Sequence, residues 1–174
     1  MDQLGIAQYL TRLGLLLGNQ GDLEAGKQAW MQAPAWQGLR RVVEDTWVLK
    51  DWFELFVAQN VALDGILFGL AYKEVDQAIS GKAGPTVSML TRFQAEWGQD
   101  AAKWVDAVIK TAAAESAENK ALLSGWYAHW RGRVQEALAP VAELALGADG
   151  AAALDRAVAA VDARMHKAGL AISA

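Results

Sequence analysis

The sequence contains no cysteine, only two histidines and only three prolines among its 174 residues. Without cysteine the chain cannot form disulfides, thiolate zinc sites or iron–sulfur clusters, and it offers no cysteine nucleophile. Runs of alternating β-branched residues are also missing, which argues against a β-rich fold. The remaining composition is dominated by alanine, leucine, glutamate, lysine and glutamine, and it predicts an all-α protein.

Positive charge is scarce and scattered. Lysine and arginine number 16 against 20 acidic residues, for a net charge of −4, and the longest basic run is Arg40-Arg41. Because binding to nucleic acid requires clustered cations, the sequence argues against such a partner. The N-terminus lacks a signal-peptide pattern, and no stretch of about 18 residues is free of charge, so we expect a cytoplasmic protein without a membrane-spanning helix.

Turn and capping residues divide the chain into helices. We predict one helical domain over residues 1–174, with short helices over 1–33, long core helices over 34–146 and a C-terminal helix over 147–174. The long core helices reach roughly 40 to 65 Å, a length typical of an up-and-down bundle. The predicted helices cover residues 3–17, 23–32 (capped by Asp22), 35–79 (after Pro34, with a kink near Gly65 as an open alternative), 87–114, 118–146 (kinked at Pro140) and 151–168, and a loop covers 80–85.

The segment "KDWFELFVAQNVALDGILFGLAY", residues 50–72, is apolar on nearly every side of a helix. Its charged stripe in the middle consists of Lys50, Asp51 and Glu54. Such a helix must be covered by other elements or by a partner. One bundle of this size covers about half of a helix, so the surplus, together with eight tryptophans, predicts a partner surface. We nominate as contact residues Trp47, Trp52, Phe68 and Tyr72, with Trp126 and Trp130 behind them.

Small residues form a stripe on the same helix, namely Ala58, Ala62, Gly65 and Gly69. We favour the interpretation that a neighbouring helix packs closely there, because glycine costs about 1 kcal/mol of helix propensity that packing commonly offsets. The alternative is a channel for a substrate or cofactor.

A di-iron carboxylate site of the helical-bundle type requires two Glu-x-x-His units. Trp126 precedes His129 by three residues and Ala163 precedes His166, so the sequence contains no such unit and we predict no metal site. We interpret the acidic residues of the long helices as solvated faces and i,i+4 pairs, such as Lys50–Glu54 and Asp106–Lys110. They are Glu44, Asp51, Glu54, Asp64, Glu96, Asp106 and Glu115.

Asp64 is the exception, because its neighbours Val61, Ile66 and Leu67 are apolar and a buried carboxylate needs a partner. We expect an arginine or a helix end rather than a metal ion. No nucleophile elbow, phosphate-binding glycine loop or dinucleotide fingerprint is present, so we predict neither catalytic nor cofactor-binding residues.

Several segments in order resemble one protein family. "VEDTWVLKDWFELFVAQNVALDG", "WVDAVIKTAAAESAENKALLSGWYAHWR" and "EALAPVAELAL", with "DQLGIAQYLTRLG" near the start, are similar to the β subunit of bacterial multicomponent monooxygenases of the phenol hydroxylase branch. Members are longer, and this chain would correspond to the C-terminal half.

The resemblance implies a ferritin-like fold in an (αβγ)₂ hydroxylase that depends on O₂ and NAD(P)H. In such a complex the α subunit holds the di-iron centre, and the β subunit is a structural partner of α, γ and a second β. A reductase and an effector protein complete the system. The alternatives are a stand-alone helical bundle that binds a ligand, or one that binds a metal through carboxylates.

Overall fold

The computed structural model describes residues 2–172, apart from the side chains of Asp2 and Ala83, so Met1, Ser173 and Ala174 of the predicted domain lie outside it. Every regular element in this range is helical, which confirms the all-α prediction. The α-helices are α1 (Asp2–Leu17), α2 (Gln20–Gln32), α3 (Pro34–Thr46), α4 (Trp52–Phe56), α5 (Asp64–Gly69), α6 (Asp76–Ala83), α7 (Thr86–Glu115), α8 (Ala117–Leu146) and α9 (Gly150–Lys167).

Two π-helical segments, Val57–Leu63 and Leu70–Val75, connect α4 to α5 and α5 to α6. Residues 52–83 therefore form one uninterrupted helix, which we call the composite helix. A short 3₁₀ turn, Gly147–Asp149, leads from α8 into α9.

Helix α8 lies at the centre of the bundle and packs against α3, the composite helix, α7 and α9. Its inward residues include Leu123, Tyr127, Val134 and Leu138, all of which are buried. With 30 residues each, α7 and α8 extend for about 45 Å. These long helices form the predicted ferritin-like bundle.

The start of α2 differs from the prediction. Asn19, and not Asp22, is the N-cap residue, and its side-chain oxygen accepts a hydrogen bond from the Gly21 backbone N at 2.7 Å. Asp22 lies inside the first turn, and its carboxylate accepts from the Asn19 backbone N at 2.9 Å. This reciprocal capping starts the helix at Gln20, three residues earlier than predicted.

The prediction of one helix over residues 35–79 was wrong, because the chain leaves the helical path between Thr46 and Trp52. The Asp51 carboxylate accepts hydrogen bonds from the backbone N atoms of Phe53 at 2.8 Å and Glu54 at 3.2 Å. This cap starts a new helix at Trp52. Trp47 therefore does not lie on the same helix as the other nominated contact residues Trp52, Phe68 and Tyr72.

The C-terminal end of the composite helix also differs from the prediction. Helix α6 continues to Ala83, through most of the predicted loop, and the turn begins at Gly84 with φ 79°. Glycine adopts this left-handed conformation without steric cost.

The composite helix is covered by its own chain to a greater extent than the sequence predicts. Val57, Val61 and Ile66 are fully buried, and Trp52 is the exposed large apolar side chain among those described for residues 52–83. The small-residue stripe contributes to this packing. A Cβ at Gly65 would lie 3.2 Å from Val161 Cγ2, and one at Gly69 would lie 3.4 Å from Ala157 Cβ, which supports close packing against α9.

Two helical stretches, Trp52–Lys82 and Ala117–Lys167, are long and apolar enough to cross a membrane by length and composition. These stretches were not predicted from the sequence, because each of them contains charged residues. Their most apolar windows are 39% and 33% buried inside the bundle, and one or two such helices are weak evidence for a membrane span.

Candidate subunit interface

Three of the eight tryptophans are exposed in the part of the chain that the structure describes. Trp47 is 79% exposed, Trp52 is 74% exposed and Trp104 is 60% exposed. Indole rings at such exposure leave large apolar area in water, and tryptophan is enriched at the energetic centres of protein interfaces. These side chains are therefore candidates for contact with another protein.

Trp52 and Trp104 border a groove of about 680 Å³ between the start of the composite helix, the C-terminal half of α7 and the start of α8. Leu122, which is exposed, and Trp126, which is half-buried, complete its apolar wall. We call this surface the indole groove. A groove with such an apolar lining suits the apolar face of a partner helix.

The nominated contact residues are not equivalent. Trp47 and Trp52 are exposed and Trp126 lines the indole groove, whereas Phe68 and Tyr72 are half-buried beside a second cavity. Trp130 is only 2% exposed, because its ring lies inside the bundle, donates a hydrogen bond from Nε1 to Glu54 Oε1 at 3.1 Å and stacks under Arg133. Trp130 is thus a core residue in this structure and not a surface contact.

Trp104 and Phe93 are also exposed, but they were not among the contact residues predicted from the sequence. The sequence does contain a pattern that indicates this surface. At 100° per residue, the aromatic residues 93, 97 and 104 fall within a narrow stripe on one side of α7.

Every acidic side chain singled out from the sequence has a polar partner within the chain. Asp106 accepts from Arg164 of α9 at 2.7 Å, and not from Lys110, while Glu54 bonds to Trp130 and not to Lys50. The remaining partners are Arg40 for Glu44, backbone N atoms for Asp51, Gln3 for Asp64, Arg92 for Glu96 and Asn119 for Glu115.

Among residues 2–172, no three His, Asp or Glu side chains are grouped in a way that could hold a metal ion. Three acids instead join helices: Asp106 binds Arg164, the buried Glu74 binds Arg156 at 2.7 Å, and Asp45 binds Arg133. Because their oxygens are directed at guanidinium groups, these acids do not fit the donor set of a di-iron centre.

Asp64 does not have the arginine or helix-end partner that the sequence predicts. Its Oδ2 accepts a hydrogen bond from Gln3 Nε2 of α1 at 3.1 Å, and the side chain is partly buried. Burial raises the pKa of Asp64 from 3.8 to about 6, and the hydrogen bond from Gln3 opposes that shift only in part. The ionised carboxylate therefore carries a desolvation cost.

We expect Asp64→Asn to stabilise the protein by about 1–2 kcal/mol at pH values above 6, after allowance for partial exposure of the side chain. The folded protein binds the Asp64 proton more tightly than the unfolded chain, so the cost of ionisation grows between pH 3.8 and about 6 and persists above that range. Below pH 3.8 the stabilisation should disappear. Urea unfolding on both sides of this range measures it.

Asp155→Asn is the matched control, because Asp155 is exposed and also accepts a hydrogen bond from a glutamine, Gln135, at 3.1 Å. It should change stability little at either pH. An Asp64→Asn effect that is the same above and below the range would contradict burial of the charge as its cause.

The fold and the surface together define an all-α, ferritin-like bundle with an exposed aromatic surface. Residues 1–116 match the family model described as Methane/Phenol/Alkene Hydroxylase. The chain belongs to this family.

Three comparisons specify the branch. The chain is 46% identical over 172 residues to "Phenol 2-monooxygenase, oxygenase component DmpL" of Pseudomonas sp. (strain CF600), covering 98% of this chain and 51% of the relative. It is 48% identical, with the same coverage, to oxygenase component MhpL of Acinetobacter pittii (strain PHEA-2). A chain of the crystal structure of xenon-pressurized phenol hydroxylase from Pseudomonas sp. OX1 superposes with a TM-score of 0.89 at 42% identity, covering 98% of this chain and 52% of that one.

The similarity confirms the resemblance to the phenol hydroxylase branch. It extends more weakly to the "hydroxylase component subunit beta" of the toluene-4-monooxygenase system of Ectopseudomonas mendocina, at 28% identity over 119 residues. The chain spans about half the length of the phenol hydroxylase relatives that it matches.

Proposed function

We propose that this chain is a non-catalytic structural (β) subunit of a multicomponent phenol or aromatic hydroxylase. The observation that carries the proposal is the 46% identity to a phenol 2-monooxygenase oxygenase component along 98% of the chain. In this role the chain supports an α subunit that holds the di-iron centre, within an (αβγ)₂ complex that also contains γ and a second β. A reductase and an effector protein complete the system.

The arrangement of the acidic side chains supports a structural role for this chain and not a catalytic one. Asp106, Glu74 and Asp45 each join their helix to an arginine of another helix, so these carboxylates stabilise the bundle. Oxidation of the aromatic substrate then belongs to the partner subunit. We further propose that the complex is cytoplasmic and engages neither nucleic acid nor a membrane.

The exposed indoles support an assembly role. Trp47 and Trp52 project from the turn and helix start at residues 47–52, and Trp104 adds a third ring at the indole groove. Interfaces are typically anchored by such aromatic side chains, which contribute most when a partner removes them from water.

Co-expression with the large subunit of a phenol hydroxylase tests the proposal. We expect the two chains to co-purify as a stoichiometric complex, and Trp52→Ala to weaken binding by about 10-fold or more. Leu144→Ala is the matched control, because Leu144 is an exposed apolar side chain near the C-terminal end of α8, far along that helix from Leu122. Titration of the purified subunits gives both affinities.

Metal analysis of the isolated chain tests the alternative in which this chain itself binds iron. Iron in stoichiometric amount on this chain alone would favour the carboxylate metal-binding alternative, and a stable monomer that binds no large subunit would contradict the assembly role.

A further inference from the structure

A second cavity, of about 540 Å³, lies between the composite helix, α7 and α9. It is separate from the indole groove, although Trp104 borders both. We call it the Asp64 cavity. The residues that decide its chemistry are Asp64, Phe68, Tyr72, Trp97, Trp104 and Arg164.

Four aromatic side chains line the Asp64 cavity. The ring centroid of Phe68 lies 5.0 Å from that of Tyr72 and 5.6 Å from that of Trp97, so the two helices present one continuous aromatic surface. Gly98 allows this contact, because a Cβ there would lie 2.7 Å from Phe68 Cδ1. The rings are tilted against one another, by 55° for Phe68 and Tyr72 and by 44° for Phe68 and Trp97, so they offer both faces and edges to a ligand ring.

The charged groups around the cavity are largely balanced. Arg164 pairs with Asp106 at 2.7 Å, Asp100 pairs with Lys103 at 2.8 Å, and Lys73 lies 3.7 Å from Glu74.

Asp64 differs from these residues, because the hydrogen bond to its Oδ2 comes from the neutral amide of Gln3. A carboxylate has about four acceptor positions, so Asp64 retains capacity for a further donor.

The backbone around Asp64 is also unusual. Asp64 directly follows the π-helical segment Val57–Leu63, and Tyr72 lies inside the second one, Leu70–Val75. Segments of this kind are rare and occur frequently at functional sites. An apolar cavity with a few convergent polar groups and a carboxyl of perturbed pKa is a typical small-molecule site.

We propose that the Asp64 cavity binds a neutral aromatic molecule of one or two rings, whose hydroxyl group donates a hydrogen bond to the Asp64 carboxylate. The aromatic walls hold the ring, and the carboxylate orients the hydroxyl. The lining carries two acids, Asp64 and Asp100, and two bases, Lys73 and Arg164, so its net charge favours a neutral ligand. The cavity volume lies within the usual range for such ligands, about 300–1,000 Å³. This binding function goes beyond the structural role proposed above.

Calorimetric titration with naphthol and with its methyl ether tests the proposal. The ether keeps the ring and the oxygen but lacks the donor, so we expect it to bind roughly 10- to 100-fold more weakly, as for loss of a hydrogen bond to a charged group. Naphthol should also lose affinity as the pH falls through 6, because protonation removes the carboxylate acceptor. The titration uses the full chain alone or, where it purifies only in its complex, compares that complex with the one that carries Asp64→Leu, so that naphthol bound by the large subunit cancels.

Two test variants and one control variant extend the experiment. Asp64→Leu should lower naphthol affinity to that of the ether, and Ala101→Trp, which fills the cavity, should abolish binding of both. Glu118→Leu, an exposed acid on α8, is the control and should bind naphthol normally. Circular dichroism verifies that each variant is folded.

Several results would overturn the proposal: no binding of naphthol, equal affinity for naphthol and its ether, or tighter binding of a naphthylmethylammonium ion, which would indicate a cation site. Co-purification with the large subunit is measured on the same preparations. A chain that binds the large subunit but not naphthol would contradict the ligand site and still support the assembly role.

Discussion

Gly150→Ala should destabilise the protein by about 2–3 kcal/mol, at the upper end of the usual cost of overpacking. Gly150 is the first residue of α9 and is buried against the end of α8. A Cβ there would lie 2.5 Å from the Ala142 carbonyl oxygen and 2.7 Å from the Glu143 backbone N. Because these are backbone atoms, α9 itself must shift to make room.

Gly125→Ala provides a matched control for this substitution. Gly125 lies in the interior of α8, and no neighbouring atom lies within 4 Å of an added Cβ. The same exchange should therefore stabilise the protein by about 0.4–1 kcal/mol, because alanine restricts the unfolded chain. Urea unfolding of the two variants compares them directly, and a neutral effect of Gly150→Ala would show that the α8–α9 corner is looser than the structure indicates.

The ends of the later helices could be predicted from sequence because local residues determine them. Ser116 caps α8 by accepting a hydrogen bond from the Asn119 backbone N at 3.0 Å, and Gly147 ends α8 with φ 60°. The break before Trp52 could not be predicted in the same way. Residues 47–50 do not contain glycine or proline, and the Asp51 cap competes there with a strong apolar helix pattern.

The candidate interface was predicted only in part, because exposure depends on how the helices pack. Trp52 and Trp130 look alike in sequence, yet Trp52 lies on the surface while Trp130 lies in the core beside Glu54. The hydrogen-bond partners of the acidic residues could not be predicted from the sequence either. Asp106 and Arg164 are 58 residues apart, and no local pattern indicates such a pair.

Asp162→Ala should destabilise the protein by about 2–3 kcal/mol, because it leaves two partly or fully buried donors without their acceptor. Asp162 of α9 accepts from the Tyr127 hydroxyl at 2.6 Å and from Arg131 Nη2 at 2.7 Å, both on α8. Burial raises the pKa of the Asp162 carboxyl, but hydrogen bonds from Arg131 and Tyr127 outweigh it, so that the pKa lies below its ordinary value. The network thus joins α8 to α9 through the ionised carboxylate.

The pH dependence of the Asp162→Ala effect distinguishes this network from general packing. A carboxyl with a lowered pKa contributes its stability above the unfolded pKa and loses it as the pH falls through the folded pKa. The effect of Asp162→Ala should therefore be full at neutral pH and shrink below pH ~4. Asp155→Ala, on the exposed side of the same helix, should stay within about 0.5 kcal/mol at both pH values. If Asp162→Ala costs as much in acid as at neutral pH, the loss arises from packing, and the charged pair with Arg131 does not hold the two helices together.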